Sequence, residues 1–124
     1  MIKLVYCLRR RTDVTPEHFY QYWRTTHADK VRDVARAIGA LRYVQSHTVE
    51  PAINQMLLES RKLAPAYDGI TEVWWESSEA LLAAVSTPQG AAAMQTLLED
   101  ESTFINFAAS RVFMTQEHEI FDLR

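Results

Sequence analysis

The sequence predicts an α+β fold of the ferredoxin-like kind, in which a split β-α-β unit occurs twice and a four-stranded antiparallel sheet carries helices on one face. Two observations support this prediction. Short β-rich runs and helical patterns follow the order strand, helices, strand, strand, helices, strand. The chain has 124 residues, of which 48% are hydrophobic, and this suits a single compact domain over residues 1–124.

The first strand and the helix after it have the clearest local signals. The run IKLVYCLR is apolar with a β-rich start, which favours a strand. Thr15 can cap a helix, Pro16 suits its first position, and Glu17 suits the positive end of the helix dipole. Val14 and Phe19 occupy the two positions of a hydrophobic staple. A helix is therefore expected to begin at this point.

One side of this helical region combines apolar side chains with a titratable one. Four residues recur at every fourth position and so stack along one side of a helix: Phe19, Trp23, His27 and Val31. The first helix is expected to run to about Thr26, and a second helical stretch to end at Gly39. His27 is either a hydrogen-bonded residue at a helix end or a group that moves a proton in a site.

The rest of the chain is predicted from alternation and helix caps. ALRYVQSHTV and YDGITEVWWES are expected to be strands, and residues 50–68 a long connection with some helix that can act as a lid. Ser77 or Ser78 and the pair Thr87-Pro88 can begin helices over EALLAAV and QGAAAMQTLLED. The acidic run 99–101 is expected to be a solvated helix end. RVFMTQEHEIF is expected to form the last strand.

Both faces of the predicted sheet carry apolar residues. Neighbouring positions of opposite parity are apolar or aromatic in three strands: Val5 and Tyr6, Tyr43 and Val44, Trp74 and Trp75. This pattern indicates that both faces are buried. Because the helices cover only one face, the simplest cover for the other is a second copy of the chain in a two-fold homodimer, which is expected to enclose a cavity between sheet and helix.

Charge and composition argue against several classes of function. The formal net charge of −3 argues against a general nucleic-acid binder. The first residues lack the pattern of a signal peptide, and no apolar stretch approaches the roughly 20 residues that span a bilayer, so no membrane association and a cytoplasmic location are expected. The single cysteine, Cys7, excludes a disulfide within the chain. Neither zinc-ligand spacing nor a glycine-rich phosphate loop occurs, so we expect no metal and no cofactor.

Two motifs, in the first helix and the third strand, are the most specific in the chain. They comprise Tyr22, Trp23 and His27 in YQYWRTTH, and Asp68, Gly69, Glu72 and Trp74 in YDGITEVWW. Together with MIKLVYCLRRR and RYVQSHTV, they make nearly the whole chain resemble the EthD family of dimeric α/β-barrel proteins. The resemblance implies a homodimer with a mostly apolar pocket in each subunit, and it fixes no reaction. An isomerase on a similar barrel uses a histidine and a tyrosine at positions that correspond to His27 and Tyr43.

We expect a polar site inside the cavity. The predicted catalytic residues are His27, Tyr43 and His47, and the predicted substrate-binding residues are Trp23, Tyr6, Gln45, Glu72 and Trp74. Alternation points Tyr43, Gln45 and His47 to one face of their strand. A neutral imidazole can take a proton and return it, and a phenol can donate to a developing oxyanion. Trp23 and Trp74 would supply a flat apolar wall for a ring.

The first functional hypothesis is therefore cofactor-free acid/base chemistry, of isomerase, dehydratase or cyclase type, on a small apolar oxygenated compound. The alternatives are a non-catalytic carrier of such a compound and a cofactor-free oxidoreductase or monooxygenase. Haem handling, known in similar barrels, ranks lower because one histidine is a weak signal. Plain structural roles also fit several residues: His47 as a hydrogen-bonded strand residue, Tyr43 with its hydroxyl at a rim, and Glu72 as a surface carboxylate. The sequence leaves open which of Trp74 and Trp75 lines the cavity.

Overall fold

The sheet has four antiparallel strands, and the computed structural model describes all residues from 1 to 124. The strands are β1 (Ile2–Leu8), β2 (Arg42–His47), β3 (Gly69–Trp75) and β4 (Arg111–Thr115). The helices are α1 (Pro16–Tyr22), α2 (Ala28–Val34), α3 (Pro51–Arg61), α4 (Ser78–Val85) and α5 (Pro88–Glu101). The spatial order β2-β3-β1-β4, with every pair antiparallel, confirms the predicted ferredoxin-like sheet.

The first helical region is continuous rather than divided at Thr26. The Thr15 hydroxyl accepts a hydrogen bond from the backbone of His18, so the predicted cap is present. A π-helical turn, Trp23–His27, then joins α1 directly to α2. Such wider turns inside helices are frequent at functional sites. Here the turn begins with one buried residue, Trp23, and ends with another, His27.

Two predicted segments differ from the structure in length. Much of the connection over residues 50–68 is the regular helix α3, which begins after Glu50 and ends before Lys62, both in the left-handed backbone region with φ of 56° and 54°. None of its residues is buried. The last strand is shorter than predicted, because β4 ends at Thr115 and residues 116–124 have no regular secondary structure. None of the helices has the length and apolarity needed to cross a membrane.

The strand register defines two faces of the sheet with different environments. The covered face, which packs against α1, α2 and α5, is formed by Leu4, Tyr6, Leu8, Tyr43, Gln45, His47, Thr71, Val73 and Trp75. The open face is formed by Lys3, Val5, Cys7, Arg42, Val44, Ile70, Glu72, Trp74 and Phe113. Trp75 is therefore the tryptophan that faces the helices, and its Nε1 donates to the Ile38 carbonyl at 2.8 Å.

The covered face packs into two apolar clusters. One contains Val31, Ile38, Val73, Trp75, Ala93 and Leu97, and the other contains Leu8, Phe19, Trp23, Phe104 and Ile105. Gly69 permits the second cluster to close, because a Cβ at this position would lie 2.6 Å from both the Trp23 ring and the Ser46 carbonyl oxygen. Members of both clusters line the space described next.

Candidate functional site

A cavity of about 410 Å³ lies between the covered face of the sheet and the helices. Of its 20 lining residues, 15 are hydrophobic. The polar side chains on its wall include those of Tyr6, His27, Tyr43, Thr71 and Glu101. Four other lining residues are substantially exposed, so the cavity opens to solvent beside them: Met94, Leu98, Phe107 and Val112. A mainly apolar cavity with a few converging polar groups is typical of a small-molecule site.

His27 lies at the end of the π-helical turn and is only 5% exposed. Its Nδ1 lies 2.6 Å from Oδ2 of Asp100 on α5. Because an ionised carboxylate can only accept, Nδ1 carries the hydrogen in this pair and Nε2 carries a lone pair. The Phe104 ring packs edge-on against the imidazole at a centroid distance of 5.0 Å. The ring is thus held in one orientation on the wall of the cavity.

Asp100 is the centre of a buried hydrogen-bond network that the sequence did not reveal. Besides His27, its carboxylate accepts from Nζ of Lys30 at 2.8 Å and from the hydroxyl of Tyr22. Asp100 is 5% exposed, so the prediction that residues 99–101 are a solvated helix end is wrong for this residue. One signal was available in the sequence, since Ala93, Leu97 and Asp100 continue one helical stripe.

The ionisation of this pair follows from burial and hydrogen bonding. Burial opposes ionisation of Asp100, but hydrogen bonds from Lys30, Tyr22 and His27 together hold its pKa below the ordinary value. Burial lowers the pKa of His27 below its ordinary 6.5, although the Asp100 carboxylate acts in the opposite direction. At neutral pH the pair is therefore a carboxylate and a neutral imidazole, the state that suits a general base.

Tyr43 reaches the cavity, whereas the other polar residues of β2 lie outside its lining. Nε2 of Gln45 donates to the Tyr43 hydroxyl at 2.9 Å and to the Trp23 carbonyl at 2.7 Å. His47 lies 2.9 Å from Oε1 of Gln45 and stacks on the Trp23 ring, with centroids 4.4 Å apart. The structure thus brings His27 and Tyr43 to the same cavity, while His47 and Gln45 support Tyr43 and Trp23.

Trp23 is completely buried and lines the cavity. Its Nε1 has no hydrogen-bond partner within the chain. A buried donor without a partner costs free energy, and the Tyr43 hydroxyl is the polar group that this side chain influences. Burial also raises the pKa of Tyr43, so its phenol stays protonated over the physiological range. The cavity therefore offers one phenolic hydrogen-bond donor, Tyr43, to a ligand oxygen.

Tyr6 and Glu101 form a second polar region of the cavity wall. Glu101 is the last residue of α5 and follows Asp100 directly. Burial raises its pKa from 4.5 to about 7, partly opposed by the nearby Tyr6 hydroxyl and reinforced by the charge of Asp100. Tyr6 was expected to bind substrate, and its own pKa is raised by burial. Glu101 was not predicted, because the acidic run was interpreted as solvated.

Glu72 and Trp74 lie on the open face, away from the cavity that they were expected to line. Glu72 pairs with Nζ of Lys3 at 2.7 Å. Nε1 of Trp74 donates to Oε1 of Glu117 at 2.5 Å, and the guanidinium of Arg42 lies 4.5 Å from the ring centroid. The physical reason is strand alternation, since Thr71, Val73 and Trp75 take the covered face and leave the even positions of β3 on the other side.

No group of three or more histidine, cysteine or acidic side chains is arranged to hold a metal ion. His27 and Asp100 are hydrogen-bonded to each other.

Comparison with known proteins gives a family and a fold. The EthD domain matches residues 11–108 of the chain. None of the curated proteins compared with the chain matches it. Among solved structures, an EthD family protein from Bacillus halodurans is similar over 95% of this chain and 99% of its own, with 18% identity and a TM-score of 0.63.

Two further structures show the same fold. A dimeric protein with a ferredoxin-like fold from Bacteroides fragilis matches over 94% of this chain and 95% of its own, at 8% identity and a TM-score of 0.58. SnoaB, a cofactor-independent oxygenase from Streptomyces nogalater, matches over 95% of this chain and 93% of its own, at 12% identity and a TM-score of 0.55. At these identities the similarity shows a shared fold.

Proposed function

The chain belongs to the EthD family, and from this premise we propose that it is a cofactor-free acid/base enzyme acting on a small, largely apolar carbonyl compound. The observation that carries the proposal is the buried His27–Asp100 pair on the wall of a mainly apolar cavity. Pairs of this kind, in which a carboxylate orients an imidazole, activate the other ring nitrogen as a base.

The cavity suits such a ligand in size and polarity. Its volume of about 410 Å³ falls in the range of small-molecule sites. Apolar side chains line most of it, including the ring of Trp23, against which an aromatic or lactone ring can pack. The polar groups are few, which favours a compound with one or two oxygens rather than a sugar or a nucleotide.

The chemistry follows from the orientation of His27. Nε2 takes a proton from the carbon next to the ligand carbonyl, and Asp100 stabilises the imidazolium that forms. Negative charge moves to the carbonyl oxygen, where the Tyr43 hydroxyl can donate to it. The protonated His27 then returns the proton to another atom. These two proton transfers together can carry out an isomerisation or a cyclisation, and the first transfer alone can begin an elimination.

A homodimer that covers the open face is part of the proposal. Val5, Val44, Ile70 and Phe113 give this face an apolar area, and Phe113 is 50% exposed. An exposed apolar patch on a sheet is typical of an interface between copies of a chain.

The first test measures proton abstraction without knowledge of the natural substrate. Benzylacetone, an aromatic ketone, is incubated with the protein in heavy water, and exchange of the hydrogens next to its carbonyl is followed by NMR. His27→Gln should lower the exchange rate by about 10²–10⁴-fold, the usual contribution of a general base. The wild-type rate should also fall as the pH drops through the pKa of His27, which lies below 6.5.

The control is His118→Gln in the exposed C-terminal segment, which should exchange at the wild-type rate. If His27→Gln exchanged the benzylacetone hydrogens at the wild-type rate, His27 would have no part in the mechanism. Thermal stabilisation by a series of lactones and aromatic ketones, with no exchange or turnover of any of them, would favour the carrier function instead.

A second candidate function is oxygen-dependent oxidation of a phenol. The fold is shared with SnoaB, a cofactor-independent oxygenase, and a buried base beside an apolar cavity can also ionise a phenol for reaction with oxygen. This function predicts oxygen consumption with no added cofactor when the probe is anthrone, a ketone whose deprotonation gives an electron-rich phenolate. Proton exchange without oxygen consumption would favour the first function.

A further inference from the structure

Glu101 is a half-buried acid on the cavity wall that the proposed proton abstraction does not use. Its neighbour Asp100 turns toward His27, whereas Glu101 lines the cavity itself. None of the ion pairs of the chain includes Glu101. A carboxyl group in a mainly apolar cavity without a cationic partner is costly to keep ionised, so a structural role as a salt-bridge residue does not explain it.

Burial and the adjacent Asp100 carboxylate favour the protonated form of Glu101, and the nearby Tyr6 hydroxyl acts in the opposite direction. Tyr6 on β1 and Tyr43 on β2 are neutral phenols, and the adjacent Asp100 is a carboxylate. His27 is neutral, and Arg111, at the start of β4, is the cationic residue of the lining. With its pKa raised to about 7, Glu101 carries a proton in a large share of molecules at neutral pH. The cavity thus holds a base, His27, and an acid, Glu101, at the same time.

We propose that Glu101 is the catalytic acid that works with His27, and that the substrate is a β-hydroxy carbonyl compound from which the pair removes water. The inference rests on the proposed function, since it needs His27 as the base. A proton shift within one ligand requires only one group that takes the proton and returns it. Loss of hydroxide, a poor leaving group, requires a second group that donates a proton to the departing oxygen.

The step balances within the chain and the substrate. Nε2 of His27 takes the proton from the carbon next to the carbonyl, and the electron pair of that C–H bond forms the new C=C bond. The C–O bond at the β carbon breaks, and its electron pair leaves with the hydroxyl oxygen, which receives the Glu101 proton and becomes water. The imidazolium of His27 then returns its proton through a water molecule to the Glu101 carboxylate. The products are a conjugated carbonyl compound and one water, with both residues restored.

The experiment compares two leaving groups on one carbon skeleton. The probes are the aldol adduct of benzaldehyde and acetone, which must lose hydroxide, and its acetate ester, which loses acetate without needing an acid. Both give benzylideneacetone, whose conjugated enone absorbance reports the rate. Glu101→Gln should lower kcat/KM for the hydroxyl probe by about 10²-fold or more and keep the wild-type rate for the acetate ester.

The pH profile gives a second readout that a structural role would not move. For the hydroxyl probe, the wild-type kcat/KM should fall above pH 7, as Glu101 loses its proton. The acetate ester should show no such fall. The matched control is Glu99→Gln, an exposed glutamate on the same helix, which should act as the wild type on both probes.

Failure of the role of Glu101 can be distinguished from failure of the proposed function. His27→Gln should lose activity on both probes, and the activity of Glu101→Gln on the acetate ester shows that this variant is folded. Equal loss on both probes, or no loss on the hydroxyl probe, would overturn the role of Glu101. If the wild type exchanges benzylacetone hydrogens but dehydrates no hydroxyl probe, the inference is overturned and the proposed function survives. If it exchanges none, both fail.

Discussion

Acidic side chains lie on both sides of the sheet, but their environments differ. Beside the covered face, Glu101 of α5 lines the cavity and Asp100 holds His27 on its wall. Burial and hydrogen bonding shift the pKa values of these two acids in opposite directions. On the open face, the acid Glu72 pairs with Lys3, and both side chains keep partial contact with solvent. The comparison teaches that burial and hydrogen-bond partners, more than residue type, distinguish the acids beside the cavity from the acid of a surface ion pair.

The largest effect should come from neutralising the acid that orients the base. Asp100→Asn keeps the shape of the side chain, but its amide can donate to Nδ1 and so favour the wrong tautomer of His27. We expect the rate of benzylacetone proton exchange to fall by about 10²–10⁴-fold. The control is Asp33→Asn on the exposed side of α2, which should keep the wild-type rate. An Asp100→Asn rate equal to that of the wild type would show that the pair is not catalytic.

The second effect concerns how Glu101, beside the covered face, changes the free energy of unfolding with pH. The folded-state pKa of Glu101 is raised from 4.5 to about 7, so the unfolded chain releases this proton first as the pH rises. The stability linked to this group is therefore present below pH 4.5 and is lost as the pH rises through 7. Glu101→Gln should be more stable than the wild type at pH 8, by up to about 3 kcal/mol, and similar at pH 4.

Urea denaturation at the two pH values measures this difference. Glu99→Gln, on the solvent side of α5, should show no comparable gain at pH 8. If Glu101→Gln were instead destabilised at pH 8, the carboxylate would be stabilised by its surroundings and the cavity would not hold it as an acid.

The third effect tests the open face as a dimer interface. Phe113→Asp places a charge where two copies are proposed to pack, and desolvating an unpaired carboxylate is costly. We expect the dissociation constant of the dimer to rise by at least about 10²-fold, as measured by analytical ultracentrifugation over a concentration series. Leu82→Asp on the exposed side of α4 should leave the dimer unchanged. A wild-type chain that sediments as a monomer would contradict the proposed homodimer directly.

The smallest effect should come from the ion pair of the open face. In the Phe113→Asp background, where this face meets solvent, Glu72→Gln should change the free energy of unfolding by no more than about 1 kcal/mol. Urea denaturation at low and high salt measures it, and the difference should shrink at high salt. A larger, salt-insensitive loss would mean that the pair is effectively buried, and the contrast between the two faces would disappear.

Local signals determined the architecture and part of the site. The cap at Thr15 and the proline after Thr87 begin helices where the sequence predicts them, because capping depends on residues within one turn. Trp23 and His27 are both buried, on the one side of the helix where their four-residue spacing places them. Tyr43 reaches the same cavity through the alternation of β2.

Only the tertiary structure decided which partners those residues meet and which side of each strand meets the helices. His27 bonds to Asp100 across 73 positions of the chain, and no local pattern encodes a contact at that separation. Alternation shows that Glu72 and Trp74 share a face, but the packing of α1, α2 and α5 decides that this face is the open one. The same packing removes water from Asp100 and Glu101, which as a sequence are two acids at a helix end. The identity of the residues comes from the chain, but their protonation comes from their surroundings, because the free energy of a buried charge depends on what replaces its water.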